Sequence, residues 1–279
     1  MGPEPLFLPA SRGERLFAVW RAPAQPRGVW VVCPPFAEED KSARRTLTEV
    51  CEALGQSGDA TLLFSFRGTG DSSGDFARAT LEDWRADLRT AVAWARHRAP
   101  GLPLGLLGVR LGAALAYLEA PALEPRRLVL IEPLMSGRSY LAQQAARKKL
   151  RTQMTQAQMT QAQGGAEADV PASTPAETTL PETTLPEGVE DLDGWPLGTE
   201  LRAGLNTLDL RSSPKVTGIW LRALQVGPRP EVAPPLQAFA DRSGGNAAAV
   251  VMPAFWNLLD YTPAGPLTDA LLDLLGTSW

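Results

Sequence analysis

Five residues, Gly108-Val109-Arg110-Leu111-Gly112, have the layout of a nucleophile elbow, G-x-S-x-G, with arginine in the place of serine. The apolar run from Leu104 to Leu107 enters the turn. An Ala/Leu-rich run, Ala113 to Leu118, leaves it, which is the strand–turn–helix context the motif requires. The glycines suit a tight turn where strand and helix pack closely. Arginine cannot be the nucleophile, because its guanidinium stays protonated and has no lone pair to offer. The turn therefore promises the geometry of acyl-transfer chemistry without its reacting atom.

Two further segments carry candidate residues. Arg67-Gly68-Thr69-Gly70-Asp71-Ser72-Ser73-Gly74 follows an apolar strand. Its G-x-G-x-x-x-G spacing is one residue off the dinucleotide fingerprint, and it comes too late to open a first βα unit. A tight turn needing positive φ accounts for its glycines. The segment Cys33-Pro34-Pro35-Phe36-Ala37-Glu38-Glu39-Asp40-Lys41-Ser42-Ala43-Arg44-Arg45 follows another apolar strand. Cys33 reads as a buried, inert thiol, since nothing near it in sequence would lower its pKa. The only histidine, His97, ends the helical run before the elbow strand, where the helix dipole favours a basic group.

The elements that must hold these residues are short apolar runs alternating with amphipathic ones. Strands are expected at Val29–Cys33, Thr61–Phe66, Leu104–Leu107, Leu128–Ile131, Ile219–Gln225 and Ala248–Met252. Helices are expected near Ser42–Gln56, Leu81–Arg96, Leu111–Leu118, Pro234–Arg242 and Pro266–Leu275. This alternation predicts an α/β fold with a mostly parallel central sheet covered by helices on both faces. A hairpin of Leu6–Leu8 with Arg15–Trp20 adds antiparallel edge strands. Residues 151–190 break the pattern. They are rich in Gln, Thr, Pro, Glu and Ala and hold two tandem duplications, Met154–Gln158 with Met159–Gln163 and Glu177–Pro181 with Glu182–Pro186. With little to bury, most of this stretch is expected to be disordered.

The 279 residues suit one large domain, and 44% hydrophobic with 21% charged residues is an ordinary globular composition. A net charge of −4 shows no nucleic-acid footprint. The two cysteines, Cys33 and Cys51, form no disulfide framework or metal pattern, which points to a reduced, cytoplasmic setting. Residues 1–12 have no apolar core of a secretory signal, and no run approaches the ~18 apolar residues of a membrane helix. No cofactor or metal is called for.

These motifs together resemble the α/β-hydrolase superfamily, and more closely the exosortase A system-associated hydrolases, type 2. The residues that carry the closer resemblance are Glu4-Pro5-Leu6-Phe7-Leu8-Pro9, Pro35-Phe36-Ala37-Glu38-Glu39 with Lys41-Ser42 and Arg44-Arg45, Gly70-Asp71-Ser72 with Gly74-Asp75-Phe76, the elbow itself, Glu132-Pro133 and Phe255-Trp256. Cys33-Pro34 and the repetitive insertion depart from it. The resemblance implies an α/β-hydrolase core (1–135 and 211–279), a cap region (136–210), and a bacterial protein associated with exopolysaccharide and protein-sorting functions. It also implies where the rest of a triad should lie. The acid should follow the seventh core strand, but Gly227-Pro228-Arg229-Pro230 puts proline there, with Glu231 one place late. The base should follow the last strand, but Met252-Pro253-Ala254-Phe255-Trp256 has no histidine.

A standard Ser-His-Asp mechanism is therefore not expected. Arg110 sits at a helix N-terminus, where a cation is disfavoured, so it should have a partner. Glu38, Glu39 and Asp71 are the internal candidates, and an anionic ligand is the external one. The expected cleft comprises Arg110, Glu38, Glu39, Lys41, Arg67, Asp71 and Trp256. Two readings stay open. One is a degenerate hydrolase whose cleft holds an anionic or glycan-related ligand, or whose cap holds a protein partner. The other is a hydrolase of ester or acyl substrates that uses Ser42 or Ser72 with Glu38, Glu39 or Asp71.

Overall fold

A computed structural model describes residues 2–164, 186–258, 260–276 and 279. The strands are β1 (Glu4–Pro9), β2 (Arg15–Arg21), β3 (Val29–Cys33), β4 (Ala60–Phe64), β5 (Leu104–Val109), β6 (Arg127–Ile131), β7 (Glu190–Leu192), β8 (Trp195–Leu197), β9 (Trp220–Gly227) and β10 (Asn246–Val251). All but β7 and β8 join one eight-stranded sheet in the order β1-β2-β4-β3-β5-β6-β9-β10. β1 and β2 pair antiparallel, as does β2 with β4, and the other neighbours in this sheet are parallel. The sequence-expected strands and the N-terminal hairpin are all present, Val29–Cys33 with the expected bounds and the others with ends shifted by at most two residues.

The helices are α1 (Glu38–Gln56), α2 (Leu81–Arg98), α3 (Leu111–Leu123), α4 (Gly137–Gly164), α5 (Thr199–Thr207), α6 (Pro234–Arg242) and α7 (Gly265–Leu275). Side chains of successive strand residues enter opposite layers, as the period of two requires. Val29, Val31 and Cys33 pack with Trp84, Leu88, Leu115 and Phe239 on the α2, α3 and α6 side. Trp30 and Val32 pack with Leu47, Val50, Leu267 and Leu271 on the α1 and α7 side. β3 to β6 are buried along their whole length, which explains their continuous apolar runs.

Local signals set several boundaries. Thr80 and Asp83 form a capping box at the start of α2, and prolines occupy the first turns of α6 and α7. α1 begins at Glu38, four positions before the expected Ser42. Its first turn carries Glu38, Glu39 and Asp40, which suit the positive end of the helix dipole. This earlier start brings Glu39 to the elbow.

The expectation of disorder across 151–190 needs correction over its first part. α4 continues through both copies of the Met154–Gln158 unit to Gly164, because the Gln/Ala/Met-rich repeat is a good helix former. The second duplication lies outside the described residues except Pro186. Between β6 and β9 the chain also forms the hairpin β7–β8, turned at Asp193-Gly194, where φ is 55° and 89°. The two ends of this segment lie side by side, with Ser136 bridged to Asp209.

Candidate functional site

The elbow is built by close backbone approach. A Cβ on Gly108 would lie 2.4 Å from Ala113 Cα, and one on Gly112 would lie 2.3 Å from the carbonyl oxygens of Cys33 and Pro34. Both obstacles are backbone and cannot swing away. Gly112→Ala is therefore expected to cost about 1–3 kcal/mol, read as a lowered urea midpoint. A variant as stable as the parent would show that α3 does not press on the β3 end.

Arg110 itself has φ 55° and ψ −115° between β5 and α3. Only glycine visits such backbone freely, so the surroundings must hold it. They do so through backbone bonds: Arg110 N–H donates to the Ile131 carbonyl at 3.0 Å, and Leu134 N–H donates to the Arg110 carbonyl at 3.1 Å. The facing turn is similarly forced, with Ala37 at φ 54° and ψ −136°.

The Arg110 guanidinium points at Glu39. Nε donates to Oε2 at 3.2 Å and Nη2 to Oε1 at 3.3 Å. The Glu39 side chain is 5% exposed and that of Arg110 16%. Two aromatic rings flank the pair: the guanidinium carbon lies 5.4 Å from the Trp256 ring centroid and 6.0 Å from that of Tyr140. Both distances allow cation–π attraction. Burial pushes the Glu39 carboxyl up, opposed by Arg110 and then Arg147. Burial, and next the Glu39 charge, push the Tyr140 phenol up as well.

A second carboxylate approaches from the end of β6. Glu132, at φ 43°, accepts the Val226 N–H at 3.0 Å. Its pKa is raised by burial, against the lowering effects of that N–H and of Arg110. A raised pKa means that the unfolded chain releases this proton first as pH climbs. Folding stability then falls as pH rises from the ordinary glutamate value, near ~4.3, toward the raised one. Glu132→Gln keeps an acceptor for Val226 and removes the titration. The variant should gain stability relative to the parent as pH goes from 4 to 8, measured by thermal melts. A difference that shrinks with rising pH would contradict the sign.

Beside the pair opens a cavity of about 610 Å³, lined by Glu38, Glu39, Ser42, Trp256 and Asn257 and, across from them in sequence, by Gln144, Arg147 and Asp193. Arg147 Nη1 donates to Asn257 Oδ1 at 3.2 Å. Among the described residues, no group of three or more His, Cys, Asp or Glu is placed to hold a metal.

Several expected cleft residues lie elsewhere. Arg67 is buried beneath the sheet edge, donating to Asp87 Oδ1 at 3.0 Å and Asp83 Oδ1 at 3.2 Å, with Glu14 Oε2 at 3.1 Å. It braces α2 and takes no part in the cleft. Asp71 is exposed on its turn, and Glu39 is the carboxylate that holds Arg110. Lys41 is exposed and pairs with Glu38 at 3.5 Å, one helical turn away. Ser72 is no free hydroxyl: it accepts the Phe17 N–H at 2.8 Å and donates to the Ser65 carbonyl at 2.8 Å. Cys33 is fully buried and its thiol is pushed well up by burial. His97 is exposed in the last turn of α2, and Glu231 is exposed after β9. Trp256, in the turn after β10, occupies the loop where a base would be sought. Glu132, Tyr140 and Arg147 were missed. Glu132 directly follows a buried strand and precedes proline, which is a readable signal; the other two sit inside a helix with no mark on them.

The sheet order, the strained turn between β5 and α3, and helices on both faces define an α/β-hydrolase fold. The chain belongs to the serine aminopeptidase S33 family, whose profile matches residues 24–180. Solved structures of the same fold include Est1E from Butyrivibrio proteoclasticus with ferulic acid bound, at a TM-score of 0.65 and 18% identity over 97% of each chain. An esterase from Pyrococcus furiosus superposes at 0.60 with 16% identity, over 98% of this chain and 90% of that one. An α/β serine hydrolase homologue from Coxiella burnetii gives 0.57 with 17% identity over 99% of both. No curated protein matches the chain at a significant level. No helix among the described residues is long and apolar enough to cross a membrane.

Proposed function

We propose that this protein is a non-catalytic member of its family that binds a ligand in the elbow cleft without cleaving it. The observation that supports this reading most is the Arg110–Glu39 pair at the nucleophile position, with Trp256 in the loop that would carry the base. A serine mechanism at the elbow needs a hydroxyl there and a base beside it; position 110 carries no hydroxyl, and the loop after β10 carries Trp256 in place of histidine. The cavity walls favour a hydroxylated, glycan-type ligand over a simple anion. Glu38, Glu39 and Asp193 outweigh Arg147, while Ser42, Gln144 and Asn257 offer both donors and acceptors. The Pro35–Arg45 segment, Gly70–Phe76 and Phe255-Trp256 support placing it with the exosortase system-associated hydrolases, in the cytoplasm of an exopolysaccharide-producing bacterium.

The purified protein is expected to show no turnover of short activated esters above its Arg110→Ala variant, and no covalent labelling by serine-directed fluorophosphonates. Labelling at Ser42 that disappears in Ser42→Ala would overturn the reading and establish an active hydrolase with an unusual constellation.

A further inference from the structure

The end of the sheet opposite the elbow carries a concentration of positive charge that the molecule as a whole does not. Over the full chain, 31 acidic residues outnumber 27 Lys and Arg. Yet a cavity of about 930 Å³ at the N-terminal ends of β5, β6 and β9 is lined by Arg96, Arg126 and Lys215, with Glu124 the one carboxylate side chain in its walls among the described residues. We propose that this cavity is a second ligand site, which takes a small soluble multivalent anion of the phosphate type.

The three cations come from separate, anchored elements. Arg96 is in the last turn of α2, and its Nη2 donates to the Leu123 carbonyl at the end of α3 at 2.5 Å. The Arg126 backbone is clamped between strands: its N–H donates to the Leu104 carbonyl at 2.8 Å, and its carbonyl accepts the Trp220 N–H at 3.2 Å. Its Nη2 donates to the Trp279 main-chain oxygen at 3.3 Å, an acceptor that a bound anion would displace. Lys215 rides on the loop before β9. The Tyr117 hydroxyl holds that loop at the Pro214 carbonyl at 3.1 Å, and Arg242 holds it at the carbonyls of Leu210, Arg211 and Ser213. These bonds hold the segments that carry the three cations, so part of the ordering that anion binding needs is already in place.

Arg127, next in sequence, is buried, and burial lowers its pKa; Asp59 opposes this, and Arg126, Arg27 and Arg222 add to it. The walls of the cavity, with three cations to one carboxylate side chain among the described residues, are themselves a field that concentrates anions. Arg126 and Arg96 also offer planar donor forks that match phosphate oxygens.

The test is calorimetric titration of the whole protein with inorganic pyrophosphate, at matched ionic strength and without divalent cations. Saturable binding is expected, weakened about tenfold or more in Arg126→Glu and in Lys215→Glu. These two residues lie on the surface, so both variants should fold; circular dichroism checks this. Arg229→Glu, the reversal of an exposed cation just after the C-terminal end of β9, should bind pyrophosphate as the parent does, which separates this cavity from the elbow end of the sheet. Absence of saturable binding, or binding that survives both charge reversals, overturns the proposal. So does capture by vesicles of phosphatidylcholine with phosphatidic acid in the absence of any pyrophosphate binding, which would assign the charge to a lipid surface.

Discussion

Arg110→Ser is expected to give a less stable protein and no hydrolase. The substitution restores the G-x-S-x-G motif but supplies no base, since the turn after β10 presents Trp256 and the exposed His97 sits at the far end of α2. It also leaves Glu39 buried without its cation. Removing one partner of a buried pair costs on the order of 3–5 kcal/mol, because the remaining charge is neither solvated nor compensated. Glu39 is already pushed up by burial, and losing Arg110 pushes it further. The variant's carboxyl will then stay protonated to a higher pH, so the deficit should be smallest in acid and grow as pH rises. Chemical denaturation at two pH values, run beside an ester assay, reads both effects. Turnover by the variant would reveal a hidden base. A stability loss below about 1 kcal/mol would mean that the pair is screened like a surface bridge.

The second large effect is expected at Arg67. Its side chain is 3% exposed and that of Asp87 is 0% exposed. Beyond the side-chain contacts, the Arg67 N–H donates to Asp87 Oδ2 at 2.9 Å, and Trp84 Nε1 donates to the Arg67 carbonyl at 3.1 Å. Arg67→Ala should cost about 3–5 kcal/mol, by stranding Asp87 and loosening Asp83 and Glu14 together. Against a typical total of ~5–15 kcal/mol, that is a large share. The double variant Arg67→Ala/Asp87→Ala should lose less than the sum of the two single losses, because each single change leaves the other charge orphaned. Equilibrium unfolding of the three variants checks this. Strict additivity would mean that the two side chains are energetically independent despite their contact.

The core was legible in the sequence because its signal is burial on both faces. A strand such as Val29–Cys33 has no exposed position to interrupt its apolar run, and its neighbours Ala60–Phe64 and Leu104–Val109 read the same way. The cap was less legible. β7 and β8 are three residues each, too short for a period to show, although the Asp193-Gly194 pair between Leu192 and Trp195 carries a hairpin signal. Within the cleft, Glu39 and Trp256 stood out by motif. Arg67 misled because its loop adjoins the elbow in pattern, while its side chain turns back to α2. Sequence spacing places a backbone; it does not say into which layer a long side chain will reach.

The elbow's backbone has a wider consequence. The glycines at 108 and 112 and the bonds to Ile131 and Leu134 fix the turn, and none of these involves the side chain at position 110. Shape and reactivity are thus encoded at different positions and can be lost separately. A family profile spanning residues 24–180 sees the shape. It ends before the loops after β9 and β10, where an acid and a base would be read. Membership in the family therefore reports an inherited scaffold, and the side chains projecting from it decide whether that scaffold is an enzyme.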